Sequence, residues 1–392
     1  MSSDLTEKAL EQAIANDDLE LYYQPKVSLL HGKLVGAEAL VRWNHGDRQS
    51  IAPDFFIPLA ERTGLLHDLT IQLLDKAVKA CVKINDAKPG LAVSMNVAPD
   101  DLESHTISKL IGQYLEQGAI TADDLQIEVT ESAAMGNFER IHDDLQQLAS
   151  MGIKILMDDF GTGHSSIDRL SQLPFTSLKL DQGVVRRMGT SQQNLNVVKS
   201  SISMARELRM TSVAEGVESS GAYNFLIANG CEEAQGFFIA RPMALDTYLA
   251  FVAEEPYLAG SPIGRVHQAI HNLMYFRKCL LDAAFCRKVD MNDFLPSVMQ
   301  PDSDHSVEHS RFGAWMTNSR EQLEDYHSYR ELERPVKQLF EQGEVFMEQL
   351  HAGADDAHLN ELITNFDKQF GYITQLLHEL ERALLLDTKQ HV

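Results

Sequence analysis

Along the first 255 residues, short runs rich in β-branched and aromatic side chains alternate with longer amphipathic stretches. The runs predict eight strands: Leu19 to Leu29, Lys33 to Trp43, Leu91 to Val97, Leu125 to Glu131, Lys154 to Phe160, Ser177 to Asp181, Thr211 to Val217 and Glu232 to Phe238. Between most of them, apolar residues recur at helical spacing, in Thr70 to Asn85, Leu102 to Glu116, Phe138 to Ser150, Leu195 to Leu208 and Tyr223 to Ala228. Strand and helix alternating in this way predict a parallel sheet, and eight strands over about 250 residues predict a closed (β/α)8 barrel of the TIM type. Only Leu30-His31-Gly32 separates the first two runs, which is too short for a crossover helix. They should form a hairpin, giving the barrel one antiparallel strand and making it a modified one.

The pattern changes after Pro256. Residues 257–264, Tyr-Leu-Ala-Gly-Ser-Pro-Ile-Gly, carry turn formers and no strand signal follows, so they read as a linker between a barrel over 1–256 and a second domain over 265–388. The second domain reads as all helical, over Val266 to Lys288, Arg311 to Tyr326, Tyr329 to Leu350 and Ala357 to Leu386, with Gly353-Ala354-Asp355-Asp356 as the clearest turn. Long amphipathic helices with short connections predict an antiparallel bundle. The stripes Leu332, Leu339, Phe346, Leu350 and Leu362, Phe366, Phe370, Ile373, Leu377, Leu384 are expected to form its core.

Composition narrows the partners. The net charge is −23, and residues 261–392, with 21 acids and 13 lysines and arginines, account for −8 of it, leaving −15 for residues 1–260. Both domains are acidic and neither shows a basic stripe, which argues against nucleic acid. A phosphate-bearing substrate would need metal ions or focused Arg and Lys to reverse the local field. No apolar run reaches the roughly 18 residues of a spanning helix, and the first residues lack a basic leader, so a soluble cytoplasmic protein without a membrane partner is expected. Cys81, Cys231, Cys279 and Cys286 show no CxxC pairing and read as buried thiols in a reducing compartment.

In a parallel barrel, functional groups collect at the C-terminal ends of the strands. Here those ends carry Glu38, Asn96, Glu128 with Glu131, Asp158 with Asp159, Lys179 with Asp181, Glu215 and Gln235. Any one of these could be a solvated strand end or a helix cap. So many carboxylates at one mouth would repel each other unless cations lay among them, so the set implies bound metal. Oxygen donors without Cys or His favour Mg²⁺ or Mn²⁺ over zinc. Two such ions suit in-line displacement at a phosphodiester by polarising the phosphoryl oxygens and lowering the pKa of the attacking water, which Lys179 could orient.

These residues carry a resemblance. Glu38-Ala39-Leu40 is similar to the signature of the EAL-domain cyclic di-GMP phosphodiesterases, and Asp158-Asp159-Phe160-Gly161-Thr162-Gly163-His164-Ser165-Ser166 resembles that family's DDFGTGYSS loop. Gln24-Pro25, Asn96, Glu128-Val129-Thr130-Glu131, Lys179, Glu215-Gly216-Val217-Glu218 and Gln235-Gly236-Phe237 match its other motifs in order, over roughly residues 5–255. The resemblance implies hydrolysis of cyclic di-GMP to linear pGpG with two divalent ions, Mg²⁺ or Mn²⁺. Glu38, Asn96, Glu128 and Asp158 would hold one ion, and Asp158, Asp159 and Glu215 the other. Lys179 would hold or deprotonate the water, beside Glu38 and Glu215 as the other catalytic residues. Gln24, Arg42, Asp181 and Gln235 would contact substrate, with Asp181 also tuning Lys179, and Glu131 would steady the loop after Asp159. Glu218 reads equally as a family residue or as an acid at a helix N-terminus. His164 departs from the family tyrosine but removes no ligand. No segment resembles a GGDEF cyclase.

The C-terminal domain more weakly resembles the chemoreceptor zinc-binding (CZB) helical domains, through Phe312-Gly313-Ala314-Trp315 and Tyr329-Arg330-Glu331-Leu332-Glu333-Arg334-Pro335. The family's cysteine falls at Ser310 and two of its histidines at Val336 and Phe340, leaving only His271, so zinc is not expected. Asp302, His305 and His309 read as a polar loop, and His327, His351, His358 and His378 as surface or capping residues. A bundle of this kind suggests a homodimer or a protein partner that regulates the barrel. The alternative reading of the whole chain is a cyclic di-GMP receptor with little turnover until the bundle is engaged.

Overall fold

The computed structural model describes residues 6–44, 51–131, 134, 138–161, 172–258, 260–288, 307 and 310–387. Two compact units emerge, one from the described residues of 1–28, 32–223 and 231–258, the other from those of 29–31, 224–230 and 259–392.

The first unit is a barrel. Its strands are β1 (Leu19–Ser28), β2 (Leu34–Trp43), β3 (Ala92–Asn96), β4 (Leu125–Thr130), β5 (Lys154–Phe160), β6 (Ser177–Leu180), β7 (Thr211–Ala214), β8 (Glu233–Gln235) and β9 (Met243–Ala244). From β2 to β8 each strand pairs in parallel with the next. The ring closes through β1, which runs antiparallel to both β2 and β8, so the expected hairpin and modified barrel are present. Gly32 makes the hairpin turn at φ 69°, where a Cβ would stand 2.6 Å from the Leu258 carbonyl oxygen. The short β9, which the sequence pattern did not announce, adds to β1 at Tyr22 and Tyr23.

Strands of a closed parallel barrel are covered on both faces, which is why even polar strand residues such as Ser94, Glu128 and Lys179 are buried. Helix Leu66–Ala87 shows the outer layer's logic: Leu69, Leu73, Leu74, Ala77, Val78, Cys81 and Ile84 form its buried stripe. Helices Glu7–Ala15, Pro53–Thr63, Gln182–Arg187 and Leu245–Ala253 have no counterpart among the elements the apolar pattern predicts. They span two or three turns at most, too short for periodicity to stand out, although Pro53 at the start and Gly64 at φ 74° after the end bracket the second of them.

The second unit contains helices Pro262–Lys288, Arg311–Leu323, His327–Arg330, Glu333–His351 and Asp356–Asp387. The helix expected over Tyr329 to Leu350 is split. Pro335 has no N–H to give the Glu331 carbonyl and its ring would collide with that carbonyl, so the longer helix restarts at Glu333. The expected core residues Leu332, Leu339, Phe346, Leu350, Phe366, Ile373, Leu377 and Leu384 are buried, with Leu362 and Phe370 packed at the edge. Phe276 stacks on Phe340 at 4.4 Å with the planes 10° apart. Arg277 grips Asp367 through two hydrogen bonds of 2.8 and 3.2 Å, and His267 meets Glu381 at 2.6 Å, which sets the first and last helices antiparallel. Ser310 caps its helix by accepting from Gly313 N–H at 2.9 Å, while Val336 and Phe340 are buried in the apolar core. Asp302, His305, His309 and the side chain of Cys286 lie outside the described residues; Cys81, Cys231 and Cys279 are buried.

Candidate active site

Glu38, Asn96, Glu128, Asp158, Lys179, Glu215 and Gln235 come together where β2 to β8 end, while Asp181 caps the helix that follows β6. Lys179, on β6 and fully buried, is the centre. Its Nζ is 3.4 Å from Glu38, 3.1 Å from Asp158 and 2.7 Å from Glu215, and it also donates to Glu128. Asn96 Nδ2 donates to Glu38 Oε1 at 3.2 Å, and Gln235 Nε2 donates to Glu38 and, at 3.1 Å, to Glu215. Strands β2 through β8 thus converge on one polar centre.

Electrostatics follow from four carboxylates sharing one ammonium in a buried lumen. Burial works to raise the Glu38 carboxyl, but Lys179, the Gln235 amide and Lys26 outweigh it and hold it below its ordinary value. Burial pushes Glu128 up to about 7, with the Glu38 charge adding to the rise and Lys179 opposing it. Glu215 is likewise held well above the usual carboxylate range, first by burial. Burial opposes the charge on Lys179, but the surrounding acids prevail and keep its pKa well above normal. The centre is short of positive charge.

That shortage is the test of a metal site, and the donors fit. Glu38, Glu128 and Asp158 each offer an oxygen within 4.8 Å of the others. Glu128 Oε1 and Gln235 Oε1 are buried with no hydrogen-bond partner, so at least one carboxylate oxygen is oriented for a ligand the protein itself does not supply. The donor set is all oxygen, as hard divalent cations require.

Asp158 and Asp159 reach the site by a local irregularity. Register between β5 and β6 shifts between Met157 and Phe160, and Asp159 takes a left-handed backbone at φ 58°. Neighbours on a regular strand point to opposite faces; this kink breaks the alternation, at a strain of about 1–3 kcal/mol that Asp bears better than most residues. The Asp159 N–H donates to Asp158 Oδ1 at 2.9 Å. Burial, then the charges of Asp158 and Asp181, raise the Asp159 carboxyl. Next along the chain, Gly161 N–H donates to the buried Glu131 Oε2 at 2.9 Å, tying that segment to the end of β4. Thr162 to Ser166, including His164, lie outside the described residues.

The remaining candidates sit around this centre. Gln24 is paired with Glu38 across the β1–β2 ladder and donates to the Ala240 carbonyl at 3.3 Å. Arg42 is half-buried at the end of β2, donating to the Val41 carbonyl at 2.8 Å. Asp181 caps helix Gln182–Arg187 by accepting from Gly183 and Val184 N–H at 3.0 and 3.2 Å, and its charge bears on Asp159 rather than on Lys179. Glu218 pairs with Arg186 at 2.6 Å. Gly236 lets β8 end against Val217, whose backbone would lie 2.2 Å from any Cβ there. A buried cation that the sequence pattern does not single out is Lys26, one of several polar residues, with Glu20, Gln24 and Ser28, in the run Leu19 to Leu29.

A barrel closed by one antiparallel strand, with an oxygen-donor acidic centre around a single lysine, defines an α/β-barrel protein with a candidate divalent-cation site at its mouth. The EAL domain profile matches residues 7–242, and the chain belongs to the EAL domain family. It is 35% identical over 264 residues to the cyclic di-GMP phosphodiesterase NbdA of Pseudomonas aeruginosa, covering 67% of this chain and 34% of that protein. It is 34% identical over 240 residues to the cyclic di-GMP phosphodiesterase RocR of the same organism, covering 61% of each. The chain therefore spans about a third of the first of these relatives and less than two thirds of the second. Among solved structures, "PaMucR Phosphodiesterase, c-di-GMP complex" superposes with a TM-score of 0.58 at 34% identity, covering 62% of this chain and 98% of that one. Among the described residues, no helix is long and apolar enough to cross a membrane.

Proposed function

We propose that this chain hydrolyses cyclic di-GMP to linear 5′-pGpG with two divalent cations, Mg²⁺ or Mn²⁺. The observation that carries this reading is the convergence of Glu38, Glu128, Asp158 and Glu215 on Lys179 at a barrel mouth. It is supported by family membership and by relatives named as phosphodiesterases for that dinucleotide.

Glu38, Asn96, Glu128 and Asp158 would hold one cation, and Asp158, Asp159 and Glu215 the other. The cations supply Lewis-acid polarisation of the phosphate and the positive charge that the centre lacks. Water adds to one phosphorus, the P–O3′ bond breaks, and the released O3′ takes a proton, opening the ring to a 5′-phosphate and a 3′-hydroxyl. Without the cations the surrounding carboxylates keep Lys179 protonated. With the cations neutralising those acids, its Nζ would hold the incoming water or take its proton. Arg42 meets a phosphate, while Gln24, Asp181 and Gln235 meet guanine or ribose edges. Glu131 steadies the chain at Gly161. The helical unit serves as a dimerisation or partner surface, a role supported by the exposed Met274 and Phe285 on its first helix. The reaction belongs in the cytoplasm, in keeping with the free buried thiols Cys81 and Cys231.

The deciding experiment incubates the purified chain with cyclic di-GMP and Mg²⁺ or Mn²⁺ and follows pGpG by chromatography, beside Glu38→Ala. Formation of pGpG that is lost in the variant is the expected result. Tight dinucleotide binding without turnover under either cation would overturn the enzyme reading in favour of a receptor.

A further inference from the structure

Beneath the carboxylate cluster the lumen holds a second lysine. Lys26, on β1, is 1% exposed. Its Nζ donates to Ser94 Oγ on β3 at 2.9 Å and to Gln126 Oε1 on β4 at 3.0 Å. Residues two apart on a strand share a face. Ser94 and Gln126 therefore lie one layer below Asn96 and Glu128, and the ladder pairs Ser94 with Gln126 and Asn96 with Glu128. The backbone of Lys26 is paired with Gly36, two residues before Glu38 on β2, and with Gln235 on β8. One residue thus links, by backbone or side chain, the four strands that carry Glu38, Asn96, Glu128 and Gln235.

Filling the lower lumen does not require a charge; a methionine has similar length and no desolvation cost. What the ammonium adds is direction. It fixes two side chains on adjacent strands at hydrogen-bond distance, and its positive charge acts upward on Glu38 and Glu128. We propose that Lys26 is a positioning residue of the metal site: through Ser94 and Gln126 it holds β3 and β4 in the register that sets Asn96 beside Glu128. This role rests on the two-cation reading above.

The test compares the full chain with Lys26→Met, Gln126→Met and the double variant. Mn²⁺ affinity is read from the electron paramagnetic resonance signal of free Mn²⁺, and kcat, KM and Tm are measured in parallel. Groups that orient metal ligands typically matter by roughly 10- to 100-fold, so Lys26→Met should lose Mn²⁺ affinity and kcat on that scale with KM little changed. The double variant should fall no further than Lys26→Met. Mn²⁺ affinity and kcat equal to the parent's, with only Tm reduced, would overturn the proposal and leave Lys26 a filler. If Lys26→Met does not fold, Ser94→Ala decides: weaker Mn²⁺ binding supports the role and unchanged binding overturns it. A parent that binds Mn²⁺ without turnover sinks the hydrolase reading while leaving the Mn²⁺ comparison decisive for Lys26; a parent that binds no Mn²⁺ overturns both.

Discussion

The side chains of Gln235 and Glu38 share a hydrogen bond although β1 stands between their strands and 197 residues separate them along the chain. The same Gln235 nitrogen also reaches Glu215, so one amide spans two acids that would otherwise repel. Barrel closure makes this possible, because the antiparallel β1 brings β8 and β2 to its two sides.

Gln235→Ala should therefore cost more than a lost substrate contact. Glu38 loses a donor that holds its carboxyl below the ordinary value. Divalent-cation affinity is expected to fall by roughly 10-fold or more, beside a higher KM for cyclic di-GMP. Cation titrations of activity would show it, and a change in KM alone would restrict Gln235 to the substrate.

Lys179→Met leaves four facing carboxylates without their shared cation. Removing one partner of a buried ionic cluster costs about 3–5 kcal/mol. Without divalent cations the variant should melt well below the parent at pH 8, and the gap should narrow at pH 5.5, where the acids take up protons, or on adding Mn²⁺. Thermal denaturation at the two pH values, with and without the cation, checks both arms; activity should be lost throughout.

For the cation-free parent, pH should act through Glu128 and Glu215. Burial raises both carboxyls, Glu128 to about 7 from an unfolded value of 4.5. A raised carboxyl contributes its stability below the unfolded pKa, and that contribution is lost as pH climbs through the folded pKa. The metal-free protein should lose stability between about pH 4.5 and 7, and added Mn²⁺ should raise Tm more at pH 8 than at pH 5, since the cation competes with those protons. A Tm shift by Mn²⁺ that does not grow with pH would contradict this.

In the helical unit, Gly343 faces the Phe276 ring so closely that a Cβ there would lie 2.6 Å from Phe276 Cζ. Gly343→Ala must push that ring off its stack on Phe340. Overpacking of this kind costs about 1–3 kcal/mol, more than the helix-propensity gain of alanine returns. Chemical denaturation should report a net loss; a net gain would show that the ring relocates freely.

Much of the site was legible because acids and amides interrupt apolar strand runs. Glu38, Glu128, Lys179 and Gln235 stood out as charges or amides at strand ends, and the structure gathers them. Three features were not legible. The split before Glu333 depended on how a single proline, Pro335, meets the Glu331 carbonyl. The left-handed turn at Asp159 depends on a register shift between β5 and β6 that no local pattern encodes. Lys26 is one polar residue among several in its strand, and only its partners on β3 and β4 distinguish it.

The sequence by itself determined the strand and helix alternation, the all-helical second unit and the identity of the polar groups at the barrel mouth, because periodicity and residue chemistry are local properties. Only the tertiary structure decided which oxygens share Lys179, how two adjacent aspartates reach one centre, and that a second lysine braces the layer below. Those are distances between strands far apart in the chain. They are set by barrel closure and register, where a shift of one residue would turn every one of these side chains to the opposite face.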